Sequence, residues 1–168
     1  MNLKNNIHII IIVLFVLILI VGGIIVGAIM DASDTSNGGV AKIVIDSNRY
    51  DFGTISMADG LTRHTFTIKN EGTADLDISQ ISTSCMCTSA ILSVDGQDSP
   101  KFGMHSNPTF WSQSIAPGQT ATLEVIFDPL AHGPDAIGPI TRGITGYSND
   151  NGGKNVPFQL TFSGNVVK

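Results

Sequence analysis

Residues 62–69 read TRHTFTIK, and this stretch decides the fold. Phe66 and Ile68 fall on one side and threonine or lysine on the other, which is the period-two alternation of a half-buried β-strand. The same alternation recurs in three further segments, whose apolar residues are Leu76 and Ile78, then Leu123, Val125 and Phe127, and then Phe158, Leu160 and Phe162. All these residues are therefore predicted to form one core.

Strand patterns separated by turn residues continue along most of the chain. The predicted strands are residues 42–46, 50–55, 62–69, 76–83, 121–128, 140–147 and 157–167. Residues 70–72, 116–119 and 148–153 contain the Gly, Pro, Asn and Asp that reversals need. Short strands at this spacing predict an all-β fold, an immunoglobulin-like antiparallel β-sandwich, although the usual Cys, Trp, Cys core pattern is absent.

The N-terminus carries a different signal. Residues 9–30 form an uncharged apolar run, long enough for a helix to cross the roughly 30 Å hydrocarbon core of a membrane. A cleaved signal peptide is the alternative, with Val26-Gly27-Ala28 as a small-residue cleavage site, but signal h-regions are usually only about 7 to 15 residues long. The run is therefore predicted to be an uncleaved, single-pass signal anchor in the cell membrane.

The residues on either side of the run predict its orientation and the domain organisation. Lys4 lies in residues 1–8, predicted to be a short cytoplasmic N-terminus, while Asp31 and Asp34 follow the run. Residues 31–41 are small and polar, typical of a flexible stalk. Residues 42–168 are enough for one domain with one core. This domain is predicted to be extracytoplasmic.

Composition and motifs exclude several classes of function. The chain has 14 acidic residues against 9 Lys and Arg, a net charge of −5. An acidic surface argues against nucleic acid, whose phosphates require basic partners. The sequence has no Gly-x-Ser-x-Gly elbow, phosphate loop or paired-carboxylate constellation, so we predict that the protein is not an enzyme.

The two cysteines, Cys85 and Cys87, are separated by one residue. On an extended strand their Cα atoms would lie about 6.5 to 7 Å apart, at the upper edge of what a disulfide tolerates. A turn would bring the thiols together, and then either a disulfide or a metal chelate is possible. The spacing leaves both open.

Further candidate metal ligands lie in loops. His105 occurs in FGMHS and His132 in LAHGP, where glycine and proline flank the imidazole. Thiolates and imidazoles suit zinc, and the thioethers of Met104 and Met86 shift the preference towards copper. The spacing matches no standard zinc finger, so the site depends on the fold bringing these loops to one end of the sandwich.

Two other aromatic residues are predicted to be structural. His64 alternates with Phe66 and Ile68, which favours a packed histidine over a ligand. Trp111 follows Phe110 in the long segment from Ser93 to Ser114 and is predicted to hold that segment against the core.

The chain resembles a bacterial Hydin-like immunoglobulin-fold family, a domain of unknown function with a Ser-Cys-x-Cys-Thr signature. The segments that carry the resemblance are residues 50–55, 64–72, 76–78, 84–88, 115–119, 125–128 and 148–150. Met86 stands where the family usually has glycine, and the segment from Ser93 to Ser114 is longer than its usual link. The resemblance implies the fold and leaves the function open.

Three functional hypotheses remain. The first is a membrane-anchored domain that binds copper or zinc through Cys85, Cys87, His105, His132 and the two methionines. The second is a surface scaffold or adhesion module that binds another protein, with the cysteines as a structural pair. A thiol oxidoreductase is third, because the chain lacks the Cys-x-x-Cys at a helix start that usually activates a thiol.

Overall fold

The computed structural model describes residues 14–17, 38–106, 108 and 110–168. Residues 14–17 are helical, and the rest of the predicted anchor lies outside the described residues. Within the described part of the chain, no helix is long and apolar enough to cross a membrane. The chain divides into two compact units, residues 1–37 and residues 38–168, and both cysteines lie in the second unit.

Residues 38–168 form a sandwich of two five-stranded sheets. The strands are β1 Ile43–Ile45, β2 Arg49–Ser56, β3 Thr62–Asn70, β4 Leu76–Thr83, β5 Thr88–Val94, β6 Gln97–Asp98, β7 Ser112–Ile115, β8 Thr120–Phe127, β9 Gly138–Ser148 and β10 Val156–Val167. One sheet has the order β1-β3-β8-β5-β6 and the other the order β2-β10-β9-β4-β7.

The core lies between the two sheets and confirms the alternation. Strands β3 and β8 line it from one sheet, and β4 and β10 line it from the other. Every residue predicted for the core is buried, with Phe158 the most exposed at 9%. Side chains of this size contribute about 1.5 to 3 kcal/mol each when they leave water, so this shared face stabilises the sandwich.

The prediction of a purely antiparallel sandwich was wrong in one pairing. Strand β2 runs parallel to β10, with Arg49 opposite Thr161 and Ser56 opposite Val167. The short β1 belongs to the other sheet, so the chain changes sheets before β2 and joins the edge beside the last strand. The second sheet is therefore mixed.

Three strands were missing from the prediction. Strand β5 follows the cysteines directly and buries Thr88, Ala90, Leu92 and Val94 on alternate positions. On its core face Thr88 and Ala90 are weakly apolar, so the period-two pattern rests on Leu92 and Val94 alone. Strands β6 and β7 lie within the segment that was predicted to be one long insertion.

The aromatic residues of that segment are held against the core. Phe102 is fully buried and forms an isolated β-bridge with Ala90 of β5. Trp111 packs edge-on against Phe102, with 4.7 Å between ring centroids. The predicted role of Trp111 in holding the segment down is thus confirmed.

A buried amide joins the two sheets at one end. Asn70, at the end of β3, is fully buried and donates through Nδ2 to the carbonyls of Ala74 and Ile115, at 2.8 Å each. Its Oδ1 accepts from the backbone N–H groups of Gly72, at 2.9 Å, and Lys42, at 3.3 Å. Since Ile115 belongs to β7 of the opposite sheet, one side chain satisfies backbone groups from both layers.

Replacing Asn70 with alanine is predicted to destabilise the domain strongly. The substitution leaves several backbone groups without partners, and each buried unsatisfied group costs about 1 to 3 kcal/mol. We expect Asn70→Ala to lower the free energy of unfolding by at least about 3 kcal/mol, measured by urea denaturation.

Asn165→Ala is the matched control. Asn165 is an exposed residue of β10, so its truncation should change stability by no more than about 0.5 kcal/mol. Equal stability of the two variants would contradict the role assigned to Asn70.

Candidate functional site

The two cysteines lie in the turn that carries the chain from one sheet to the other. Strand β4 ends at Thr83 and β5 begins at Thr88, and these strands belong to opposite sheets. The N–H of Thr88 donates to the carbonyl of Cys85 at 3.1 Å and closes the turn. The turn brings the Cα atoms of Cys85 and Cys87 to 5.2 Å, and a disulfide joins their sulfurs. The backbone therefore adopts the convergent alternative, not the extended one.

A buried hydroxyl fixes the turn from inside. Thr83 is 6% exposed, and its Oγ1 lies 3.0 Å from the carbonyl oxygens of both Cys85 and Thr88, which share its single hydroxyl hydrogen. The Cys85 carbonyl also accepts from the N–H of Thr88. The side chain of Thr83 thus adds a buried hydrogen bond to the backbone bond that closes the turn.

Neighbouring strands fix the turn from outside. The N–H of Ser84 donates to the carbonyl of Gly143 in β9 at 2.9 Å, and the N–H of Gly143 donates to Ser84 Oγ at 2.8 Å. At the other end the N–H of Asp128 donates to the carbonyl of Cys87 at 2.9 Å. The cysteines are therefore positioned by both sheets.

The two sulfurs have different surroundings. Cys87 is only 2% exposed, and its Sγ accepts from Arg142 Nε at 3.2 Å and lies 3.6 Å from Thr88 Oγ1. Cys85 is partly exposed, and its Sγ lies 3.1 Å from Nε2 of the exposed His132. One sulfur is thus enclosed beside a cation, and the other faces an imidazole at the surface.

His132 reaches the cysteines from the loop after β8. Asp128 Oδ1 accepts from the N–H of Leu130 at 2.9 Å, and the N–H of Gly133 donates to the carbonyl of Leu130 at 2.9 Å. Gly133, the residue after the histidine, has a φ of +90°. Residues with a side chain rarely adopt this angle, so glycine suits the position.

The structure brings together three of the six predicted metal ligands. The Sγ atoms of Cys85 and Cys87 and a ring nitrogen of His132 all lie within 4.8 Å of one another. His105 is not part of this cluster. No other group of three or more His, Cys, Asp or Glu within the described residues meets the same geometric requirement.

The remaining predicted ligands, Met86, Met104 and His105, are exposed. Met86 lies between the cysteines with 69% of its surface exposed. Met104 is 48% exposed and His105 is exposed, both in the loop after Phe102. Gly103 and Ser106 of that loop line a cavity of about 550 Å³ together with Met86 and Cys87. The loop therefore borders the same cavity as the cysteine turn.

His64 lies elsewhere and packs as a structural residue. Its ring stacks on Tyr50 with 3.5 Å between centroids and meets Phe66 edge-on at 4.7 Å. Burial lowers the pKa of His64 below its ordinary value, because desolvation disfavours the charged ring.

Two residues of the site, Thr83 and Arg142, were not predicted from the sequence. Thr83 is one of several small polar residues around the cysteines, and its burial depends on the sheet change. Arg142 lies within β9, where a charged residue normally indicates the solvent face. Its approach to Cys87 depends on the packing of β9 against the turn between β4 and β5.

Comparison with known proteins supports the fold and leaves the function open. A family model described as a protein of unknown function, DUF1573, matches residues 43–95, which contain both cysteines and end before His132 and Arg142. This match agrees with the resemblance to a domain of unknown function, while the Hydin-like classification stays a resemblance. A search of curated proteins finds no match.

Solved structures include similar sandwiches. A protein of unknown function from Porphyromonas gingivalis W83 is 18% identical with a TM-score of 0.53, over 74% of this chain and 46% of that one. The CooA pilin subunit of enterotoxigenic Escherichia coli is 10% identical with a TM-score of 0.48, over 77% of this chain and 99% of that one. A PapD-like domain of human CEP192 is 12% identical with a TM-score of 0.46, over 77% of this chain and 87% of that one.

The chain spans about half the length of the first of these structures, at 46%. At 18% identity the likeness to the Porphyromonas gingivalis protein shows the fold alone, a β-sandwich of two sheets. Any activity must therefore be argued from the residues of this chain.

Removing the Thr83 hydroxyl is predicted to destabilise the cysteine turn. Thr83→Val keeps the shape of the side chain but removes the buried hydroxyl donor that the carbonyls of Cys85 and Thr88 share. We expect a loss of about 1 to 3 kcal/mol in the free energy of unfolding, measured by urea denaturation of the oxidised protein.

Thr65→Val on the exposed face of β3 makes the same chemical change without removing a buried hydrogen bond. It should alter stability by no more than about 0.5 kcal/mol. If Thr83→Val were equally neutral, the hydroxyl would not be what holds the turn.

Proposed function

We propose that the reduced form of this domain binds a soft transition metal ion through Cys85, Cys87 and His132, with copper favoured and zinc possible. The observation that carries the proposal is the convergence of two sulfurs and one ring nitrogen within 4.8 Å of one another. In the disulfide the two sulfurs are bonded to each other, so reduction must separate them before an ion with bonds of about 2.0 to 2.3 Å binds both sulfurs and the His132 nitrogen.

Metal binding requires the dithiol form. Thiolates are the metal ligands, and a disulfide sulfur has no thiolate charge to offer. The bond between Cys85 and Cys87 must therefore accept two electrons before the ion binds. The oxidation state of the pair then controls the metal affinity.

The charges at the site favour copper(I) over zinc. Two thiolates and a neutral imidazole around a monovalent ion leave one negative charge, whereas a divalent ion leaves none. The Arg142 guanidinium, with Nε 3.2 Å from Cys87 Sγ, balances that remaining charge. Thiolate ligands also select copper(I) by their softness.

His105, Met104 and Met86 are proposed as accessory ligands. Met86 projects from the turn between the two cysteines, and residues of the 101–106 loop line the cavity beside it. In this proposal a thioether or a second imidazole from these exposed side chains completes the coordination of an ion held by the cysteines. Thioether sulfur is again a ligand for copper(I).

A structural role for the cysteines supports a second candidate function. The disulfide closes the turn between β4 and β5, and this favours a non-enzymatic surface scaffold that binds another protein. Such a scaffold would need the disulfide intact and would have no requirement for His132. Metal binding by the reduced protein separates the two functions.

Copper binding should depend on the cysteines and on His132. We expect the full-length protein, purified in detergent and reduced under anaerobic conditions, to take copper(I) from a chromophoric chelator. A variant combining Cys85→Ser and Cys87→Ser should lose binding. His132→Asn should weaken the affinity by more than about tenfold, because metal sites lose roughly 10- to 100-fold even for changes beyond the ligands.

Two further variants complete the experiment. His105→Asn tests the accessory role and should weaken binding less than His132→Asn. His64→Gln is the control and should leave the affinity unchanged, since His64 stacks on Tyr50 outside the cluster. Copper affinity of the double serine variant equal to that of the unaltered protein would refute the proposed site.

Residues 9–30 are proposed to anchor the domain to the cell membrane, with the domain outside the cytoplasm. The support is the uncharged apolar run and the acidic residues that follow it. We expect mass analysis of the protein from the membrane fraction to find residues 9–30 retained. A mature N-terminus near Ile29 would instead identify a cleaved signal peptide.

A further inference from the structure

We infer that the oxidised Cys85–Cys87 pair exchanges its disulfide with the paired thiols of a partner protein, with Cys85 as the attacked sulfur and Cys87 as the leaving thiolate. This exchange requires no metal. It uses the oxidised form of the site, whereas the proposed copper binding uses the reduced form.

The difference in exposure selects the attacked sulfur. Disulfide exchange begins when a thiolate reaches one sulfur of the pair, so the rate depends on access. Cys87 is 2% exposed, while Cys85 is partly exposed beside the exposed His132. An incoming thiolate therefore forms its new S–S bond with Cys85.

Arg142 stabilises the leaving group. As the bond between Cys85 and Cys87 breaks, its electron pair moves to Cys87 Sγ, which accepts from Arg142 Nε at 3.2 Å. A guanidinium is always charged, and its hydrogen bonds to anions are stronger than those between neutral groups. None of the ion pairs among the described residues involves Arg142, so no carboxylate competes for it there.

The guanidinium is also oriented before the reaction. Arg142 Nη1 donates to the carbonyl of Thr141 at 2.9 Å, which directs the edge carrying Nε towards the sulfur. Arginine thus supplies the stabilisation that a helix start provides in Cys-x-x-Cys proteins. The sequence lacks a Cys-x-x-Cys at a helix start, which was the main objection to thiol chemistry. The contact between Arg142 and Cys87 removes that objection.

The second step returns Cys85 as a thiolate. The partner's second thiolate attacks the partner sulfur of the mixed disulfide, and the electron pair of that bond moves to Cys85 Sγ. Two donors are positioned there: the N–H of Cys87 at 3.3 Å, and His132 Nε2 at 3.1 Å when that nitrogen carries its hydrogen. Overall the partner dithiol loses two electrons and two protons to become a disulfide, and the Cys85–Cys87 disulfide becomes a dithiol.

The position of Cys87 explains why the partner needs two thiols. In the mixed disulfide the Cys87 thiolate lies two residues from Cys85 and re-forms the original bond quickly, because the attack is intramolecular. A single thiol is expelled by this reaction. A second thiol on the same partner is equally close and competes with Cys87.

The experiment uses oxidised full-length protein in detergent, with a metal chelator and at fixed pH. The probes are a reduced synthetic peptide with two cysteines and, for comparison, glutathione. Acid quenching, alkylation and mass spectrometry follow the exchange. We expect net reduction by the dithiol peptide to be at least about tenfold faster than by glutathione at equal thiol concentration, and the trapped mixed disulfide to be on Cys85.

Variants of Arg142 test the leaving-group contact. Arg142→Gln should slow exchange by about tenfold or more, and Arg142→Lys, which keeps the charge, should recover part of the rate. Lys154→Gln removes one positive charge from an exposed turn residue and should exchange at the unaltered rate. Circular dichroism of each variant confirms that the sandwich is retained, and Arg142→Lys keeps the test valid if Arg142→Gln does not fold.

Three results would each overturn the inference: a mixed disulfide on Cys87, an Arg142→Gln variant as fast as the unaltered protein, or glutathione as effective as the dithiol peptide. Because the chelator is present throughout, absence of exchange in a protein that binds copper after chemical reduction refutes the exchange alone. Normal exchange in a protein that binds no copper refutes only the metal-binding function.

Discussion

The Thr83 hydroxyl, which donates to the carbonyls of Cys85 and Thr88, is the interaction on which the site depends. The chain leaves one sheet at Thr83 and enters the other at Thr88, and the ends of this connection bond to both sheets, through the N–H of Ser84 and the carbonyl of Cys87. Buried carbonyls need hydrogen-bond donors. The Cys85 carbonyl accepts from the N–H of Thr88, and the Thr83 hydroxyl adds a buried donor, so the turn is tight and the two cysteines converge.

The same crossing places charged and ionisable side chains around the sulfurs. Strand β8 ends beside the turn and its loop delivers His132 to Cys85, while β9 pairs with β4 and delivers Arg142 to Cys87. The sequence alone does not distinguish the two cysteines, whereas the surrounding strands give their sulfurs different exposure and different neighbours. One becomes the accessible sulfur, and the other becomes the sulfur that a cation stabilises.

Local patterns predicted the parts of this structure that local forces determine. The core of Phe66, Ile68 and their counterparts followed from alternation, since burying one face dictates a period of two. Strand β5 was not predicted because its Thr, Ser and Ala carry little apolar signal. The parallel pairing of β2 with β10 was not predicted because it is set by the topology of the whole sandwich. Cys85, Cys87 and His132 were recognisable as ligand types, whereas the role of Arg142 arises only from packing.

Redox state links the two chemistries of the site. An extracytoplasmic compartment is generally oxidising, so under the proposed anchoring by residues 9–30 the domain would rest with Cys85 and Cys87 joined. Copper binding would then wait for a dithiol partner to deliver two electrons, and the same Arg142 that stabilises the departing Cys87 thiolate would balance the charge of the copper(I) complex. The proposed exchange and the proposed metal binding would therefore be successive uses of one arrangement, because both require a stable thiolate at Cys87.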